Sequence, residues 1–193
     1  MATEEEWVAS LLQPRLAAEF KEFDDGEYRI AVASGKRLTY ANEILRYRND
    51  VPDESNCAAY ETDILVYDER QNIDWIPRVV LECKKGGVTT HDALTYSTKA
   101  ATHKHVHPYL RYGILIGELG STLPGRLIRH GAYFDFMMVW EGAEPTKEEF
   151  SKLVNVLKEE VRASRTMQEL LSDARKRNRR KFSLLHRPLR LEP

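Results

Sequence analysis

The 193-residue chain has only two cysteines, Cys57 and Cys83. That count excludes a disulfide scaffold and a four-cysteine zinc site, and a reducing, cytoplasmic setting is expected. No apolar run approaches the ~20 residues of a membrane-spanning helix, and the segment Met1 to Trp7 is acidic, not a basic lead into an apolar stretch. Neither membrane insertion nor secretion is expected. Glycine (10) and proline (8) are too sparse for a low-complexity or fibrous chain. The formal net charge of -1 argues against indiscriminate coating of nucleic acid. What is present, 42% hydrophobic and 31% charged residues, is the composition of a globular protein long enough for its own core.

The small net charge hides a polarised sequence. Residues 1–27 carry eight acids against Arg15 and Lys21, whereas residues 174–193 carry eight lysines and arginines against Glu192. The basic end suits contact with a polyanion, or equally a solvated helix terminus whose cations complement the macrodipole.

Periodicity predicts the elements. Trp7, Leu11, Leu12, Leu16 and Phe20 have helical spacing interrupted by Pro14, so a kinked helix is expected over 4–22. Asp24-Asp25-Gly26 reads as a turn, Tyr28–Ala33 as a short strand, Leu38–Arg48 as a helix and Asn49–Asn56 as a loop. Tyr60–Tyr67 and Ile76–Cys83 then read as a hairpin. A helix capped by Thr89 or Thr90 is expected to end near His103, before Pro108, and to lead to a buried, parallel strand over Tyr112–Ile116. Phe134–Trp140 reads as another strand, and Phe150, Leu153, Val154, Leu157 and Val161 mark an amphipathic helix. The expected fold is α/β (α+β): a central mixed β-sheet flanked by helices. One domain over 1–193 is expected, with its core at about 38–117, a helical N-terminal segment and a basic C-terminal helical extension.

One constellation carries chemistry. Asp63 and Glu82-Cys83-Lys84 fall on the two arms of the expected hairpin, and pairing Asn72 with Ile73 sets Asp63 opposite Glu82. Lys84 shares a face with Glu82, whereas Cys83 points the other way with Leu81 and Val79. Facing carboxylates repel unless a cation lies between them, and an all-oxygen set suits Mg²⁺ or Mn²⁺ over zinc. Lys84 beside such an ion could orient an attacking water or help deprotonate it, which is chemistry for phosphodiester hydrolysis. The bland alternative is an ordinary cross-strand ion pair.

These residues resemble the PD-(D/E)XK phosphodiesterases, and among them the type II restriction endonucleases. The resemblance implies that Asp63 bridges metal, that Glu82 and Lys84 are the paired acid and lysine of the third strand, and that the Cys83 backbone carbonyl is a further ligand. It also implies an accessory acid, Glu43, on the preceding helix, and it spans roughly residues 38–117. Thr62 stands where the family often has proline. The Gln-x-x-x-Tyr pattern of the RecB-like subgroup is missing, Asp92 and Tyr96 having its spacing without the glutamine.

Lys85, Lys99, His103 and Lys104 are expected to meet the DNA backbone, joined by Arg177 and Arg180 of the basic end. Arg126 and Arg129, in an expected loop after Pro124-Gly125, are candidates for base reading. His103, His105 and His107 alternate but fit a helix terminus better than a zinc site. The function implied is a Mg²⁺-dependent, sequence-specific endodeoxyribonuclease of the type II restriction kind acting on double-stranded DNA, Mn²⁺ substituting, as a homodimer matching a two-fold site. The alternatives are a repair, resolvase or mobile-element nuclease of the same fold, and a non-catalytic nucleic-acid-binding module.

Overall fold

The computed structural model describes residues 3–21, 23, 29–70, 74–120, 122–175 and 190. The turn at Asp24-Asp25-Gly26, the Asn72-Ile73 pair and the cations Arg177 and Arg180 lie outside them. Helical segments α1 (Glu4–Trp7) and α2 (Gln13–Phe20) flank a π-helical turn, Val8–Leu12, where the Gln13 amide donates to the Val8 carbonyl. The wide turn accommodates Pro14, so the expected kink takes the form of an inserted residue.

Five strands form a mixed sheet in the order β1 (Arg29–Ala33), β4 (Ile64–Arg70), β5 (Asp74–Lys85), β6 (Arg111–Gly117), β7 (Phe136–Val139). The first two pairings are antiparallel and the last two parallel, as the helical crossover α3 (Thr90–Val106) between β5 and β6 requires. On one face Trp7, Leu12, Leu16 and Phe20 pack with Ile64, Val66, Val79, Leu81 and Cys83 beneath α5 (Lys147–Arg175). On the other, α3 and the short helix α4 (Gly125–His130) cover Leu65, Val80, Tyr112, Ile114 and Ile116. This is an α/β architecture with a mixed sheet between helical layers.

The sequence reading is corrected at Leu38–Arg48 and Asn49–Asn56. These segments form a separate two-stranded antiparallel ribbon, β2 (Lys36–Arg48) and β3 (Val51–Thr62). Asn49 and Asp50 both have positive φ, 51° and 61°, the geometry of a tight hairpin turn whose twist matches the strands. That turn chemistry, with Thr39, Tyr40, Ile44 and Tyr47 nearby, outweighs the accidental helical spacing of Leu38, Ala41 and Leu45. The ribbon base is held by α3, where Nε2 of His103 and of His107 donate to the Leu38 and Thr39 carbonyls at 3.3 and 3.1 Å.

Between Val66 and Tyr67 the β4–β5 register slips, so that Arg78 is the bulged residue of β5. The bulge turns its guanidinium inward, where Arg78 Nε donates to Asp68 Oδ2 at 2.7 Å. Arg165 of α5 grips the same carboxylate at 3.0 and 2.7 Å, fastening the long helix to the sheet. Asp68 is fully buried. Asp68→Ala should therefore cost about 3–5 kcal/mol by stranding Arg78 in the interior, read as a fall in the chemical-denaturation midpoint.

Burial pulls the His103 pKa down to about 4, against the help of the Leu38 carbonyl. The unfolded chain thus binds a proton the folded one refuses, and stability present above about pH 6.5 is lost as pH falls toward 4. Amide protection factors along β2 near Leu38 should drop between pH 7 and pH 5. Unchanged protection there would show that His103 does not govern the ribbon.

Candidate active site

Asp63 lies at the bend between β3 and β4, where the chain leaves the ribbon for the central sheet. Ile64 pairs with Leu81, so Asp63 comes opposite Glu82, the juxtaposition expected from sequence. Asp63 Oδ2 accepts the Cys83 backbone N–H at 2.8 Å. Burial first, then the Glu82 charge, pushes the Asp63 pKa up to about 6, against the opposing pull of the Cys83 N–H and Lys99.

Glu82 is 2% exposed, and both its oxygens are engaged. Lys99 Nζ donates to Oε1 at 2.8 Å and the Tyr112 hydroxyl to Oε2 at 2.7 Å. Lys99, expected as a contact to the DNA backbone, is thus engaged by Glu82 within the site. Two residues along β5, Lys84 projects on the same face, with its Nζ 3.4 Å from Glu4 Oε1. Burial disfavours the Lys84 ammonium, but the Tyr96 hydroxyl and Glu4 outweigh it and raise the pKa above the ordinary lysine value. Lys84 is therefore a standing positive charge at neutral pH, suited to orienting a nucleophile and not to removing its proton.

Glu4 is the acid that sequence reasoning missed. Its Oε2 accepts the Lys85 backbone N–H at 3.0 Å, and its charge reaches Asp63. It arrives there because Trp7, one turn on, docks against Gly117, where a Cβ would lie 2.8 Å from the indole. The indole N–H donates to the Ala143 carbonyl at 2.7 Å and the ring meets Trp140 edge-on. Nothing in the local pattern around Glu4 marks it, because the contact joins residues some eighty positions apart. Tyr112 did leave a signal: a phenol in a continuous apolar strand needs a buried partner.

Glu43 takes no part in this constellation. The helix assigned to it is strand β2, where it pairs with Asn56 on the exposed ribbon, and no described contact joins it to Asp63, Glu82 or Lys84. The expected DNA contacts are also redistributed. His103 is fully buried, and Lys104 is held by Asp135 at 2.8 Å and the Tyr133 carbonyl at 2.7 Å. Lys85 Nζ lies 3.2 Å from Glu118. Arg126 and Arg129 stand on a short helix, not in a loop, and both are exposed.

Among the described residues, no three His, Cys, Asp or Glu side chains form a ready-made metal cage. The donor chemistry nevertheless fits a hard divalent ion that keeps much of its water and needs only one or two carboxylates. Asp63 and Glu82 supply those, Glu4 is adjacent, and the Cys83 carbonyl would add a neutral oxygen. Compared with models of known protein families the chain matches none, and it matches none of the curated proteins.

The raised Asp63 pKa has a thermodynamic consequence. The folded state holds the proton more tightly than the unfolded chain, so stability falls as pH rises from about 4 through 6 and the penalty stays in place above. Asp63→Asn should make the metal-free protein more stable at pH 7.5 by roughly 1–2 kcal/mol after discounting for solvent screening. The gain should vanish by pH 4, as measured by thermal melting across that range. A variant less stable than wild type at pH 7.5 would contradict the assignment.

Proposed function

We propose that the chain is a Mg²⁺-dependent endodeoxyribonuclease of the PD-(D/E)XK type that hydrolyses phosphodiester bonds in duplex DNA, with Mn²⁺ able to substitute. The observation that carries this reading is the cross-strand opposition of Asp63 and Glu82 with Lys84 on the same face. Asp63 and Glu82 would hold the ion, with Glu4 as the accessory acid in place of Glu43. A bound ion would supply Lewis-acid stabilisation of charge on the phosphate and bring water near it. Lys84, in contact with Glu4 and the Tyr96 ring, would use its ammonium to orient an attacking water. Cys83 keeps the Asp63 carboxylate aimed through its backbone N–H.

Arg126 and Arg129 remain candidates for the duplex, since both are exposed beyond β6. A two-fold homodimer would not use the apolar stripe of α5, since Phe150, Leu153, Val154, Leu157 and Val161 cover the sheet. The exposed apolar side chains Ile44, Leu45, Tyr47 and Val51 at the far end of the ribbon are the alternative contact.

A second reading, a non-catalytic nucleic-acid-binding module, draws on one observation: Glu82 is already satisfied by Lys99 and Tyr112 without any ion. Incubation with supercoiled plasmid and linear DNA, with Mg²⁺ and with chelator, separates the two. Discrete Mg²⁺-dependent fragments are expected, and Lys84→Ala should lower the rate by at least about a hundredfold with DNA affinity nearly unchanged. Intact DNA under every condition with folded protein would favour the non-catalytic module, and undiminished cleavage by the variant would remove Lys84 from the mechanism.

A further inference from the structure

We propose that Lys99 is a built-in counter-cation for the Glu82 carboxylate, one that a divalent ion must displace to bind. The inference rests on the metal-binding reading of Asp63 and Glu82 and adds a competitor to it. A carboxylate that is 2% exposed needs both charge compensation and hydrogen bonds, and here the two are supplied by different groups. Tyr112, fully buried on β6, contributes a neutral hydrogen bond from a fixed ring. Lys99 contributes the charge, on a four-carbon stem reaching over from α3, and that charge also acts on Asp63.

The two contributions differ in what an incoming ion does to them. A hydroxyl bonded to Oε2 leaves a second lone pair on that oxygen, so the Tyr112 bond is compatible with an ion on the same carboxylate. A second full positive charge at the carboxylates is not compatible with the ammonium. Lys84 is no equivalent competitor, because its ammonium is engaged by Glu4 at 3.4 Å and lies 5.3 Å from the Tyr96 ring centroid.

Lys99 also has somewhere to go. Its side chain is 18% exposed, and Nζ lies 5.8 Å from the centroid of the Tyr60 ring, which is itself 40% exposed and stacked on Tyr40 at 3.8 Å. A flexible ammonium moving off Glu82 keeps that aromatic face as a partner. It would also lie beside the scissile phosphate, so metal and substrate favour each other: the ion frees Lys99, and the phosphate rewards its release. Metal binding without substrate is correspondingly weak.

The test is Mn²⁺ binding, by calorimetry in the absence of DNA, to wild type, Lys99→Gln, Lys99→Arg and Asp63→Asn at pH 7.5. Lys99→Gln keeps an N–H donor for Glu82 while removing the charge, which protects folding better than an apolar replacement. Its affinity for Mn²⁺ should exceed that of wild type by about tenfold or more, whereas Lys99→Arg should gain nothing and Asp63→Asn should lose binding. Thermal melting should agree, with Mn²⁺ raising the midpoint of Lys99→Gln more than that of wild type. Equal or weaker binding by folded Lys99→Gln than by wild type would overturn the role of Lys99 and leave the metal site standing, as would tighter binding by Lys99→Arg. No binding by wild type or by folded Lys99→Gln would overturn the metal site, and this inference with it.

Discussion

The burial of the Glu82 carboxylate is the constraint around which the centre of this molecule is arranged. It falls within the run Val79–Cys83, every residue of which is at most 2% exposed, in a strand covered on both faces. An ion there is tolerated only with compensation from other elements, and the topology supplies it. Glu82 pairs with Ile114 across the parallel β5–β6 ladder, so Tyr112, two residues earlier on the same face of β6, reaches it from the side. The crossover helix that parallel pairing demands passes over the same face and brings Lys99. An order of elements dictated by backbone geometry thus delivers both partners of the acid.

The same economy recurs away from the site. Asp68 takes Arg78 from a bulge in its neighbouring strand and Arg165 from α5. Arg111 of β6 joins Glu160 of α5 at 2.6 Å and Asp135 at 3.0 Å, and Asp135 passes the link to Lys104 of α3. These pairs cross the layers where apolar contact alone would allow helices to slide. Their net worth over hydrophobic replacements is small, but breaking one strands a buried charge, so they fix how α3 and α5 sit on the sheet. Because Lys99 and Tyr96 ride on α3, the orientation of that helix is also the orientation of the site.

Much of this was legible in the residue order, and the rest was hidden for identifiable reasons. The β4–β5 hairpin, the parallel β6 and the opposition of Asp63 to Glu82 follow from period-two patterning and from the need to bury Val79-Val80-Leu81. A cap at Thr89 or Thr90 was legible too, and the structure places it at Thr89, where Asp92 completes a reciprocal capping box. The ribbon was not: its exposed strands lack a buried face to impose alternation, and only Asn49-Asp50 marks the turn. Placing Glu43 on a helix followed from that error. Glu4 and Lys99 joined the site through tertiary contacts that no local pattern encodes, whereas Tyr112 was marked only as a buried phenol in need of a partner, with Glu82 not named.

Glu4 couples the N-terminal helix to the site. Without it, Lys84 would have only Tyr96 as a described partner beside the Asp63–Glu82 pair, and its ammonium would be drawn toward those carboxylates. With it, Lys84 pairs with Glu4 and Lys99 with Glu82, and among the described residues Asp63 has no ion pair of its own. Burial first, then the charge of Glu82 and last that of Glu4, lift the Asp63 pKa. The arrangement holds only while Trp7 is seated on Gly117, the position where absence of a side chain admits the indole. Docking of the N-terminal helix is therefore part of building the site: the contact that buries Trp7 in the core also sets the charge balance at the ends of β4 and β5.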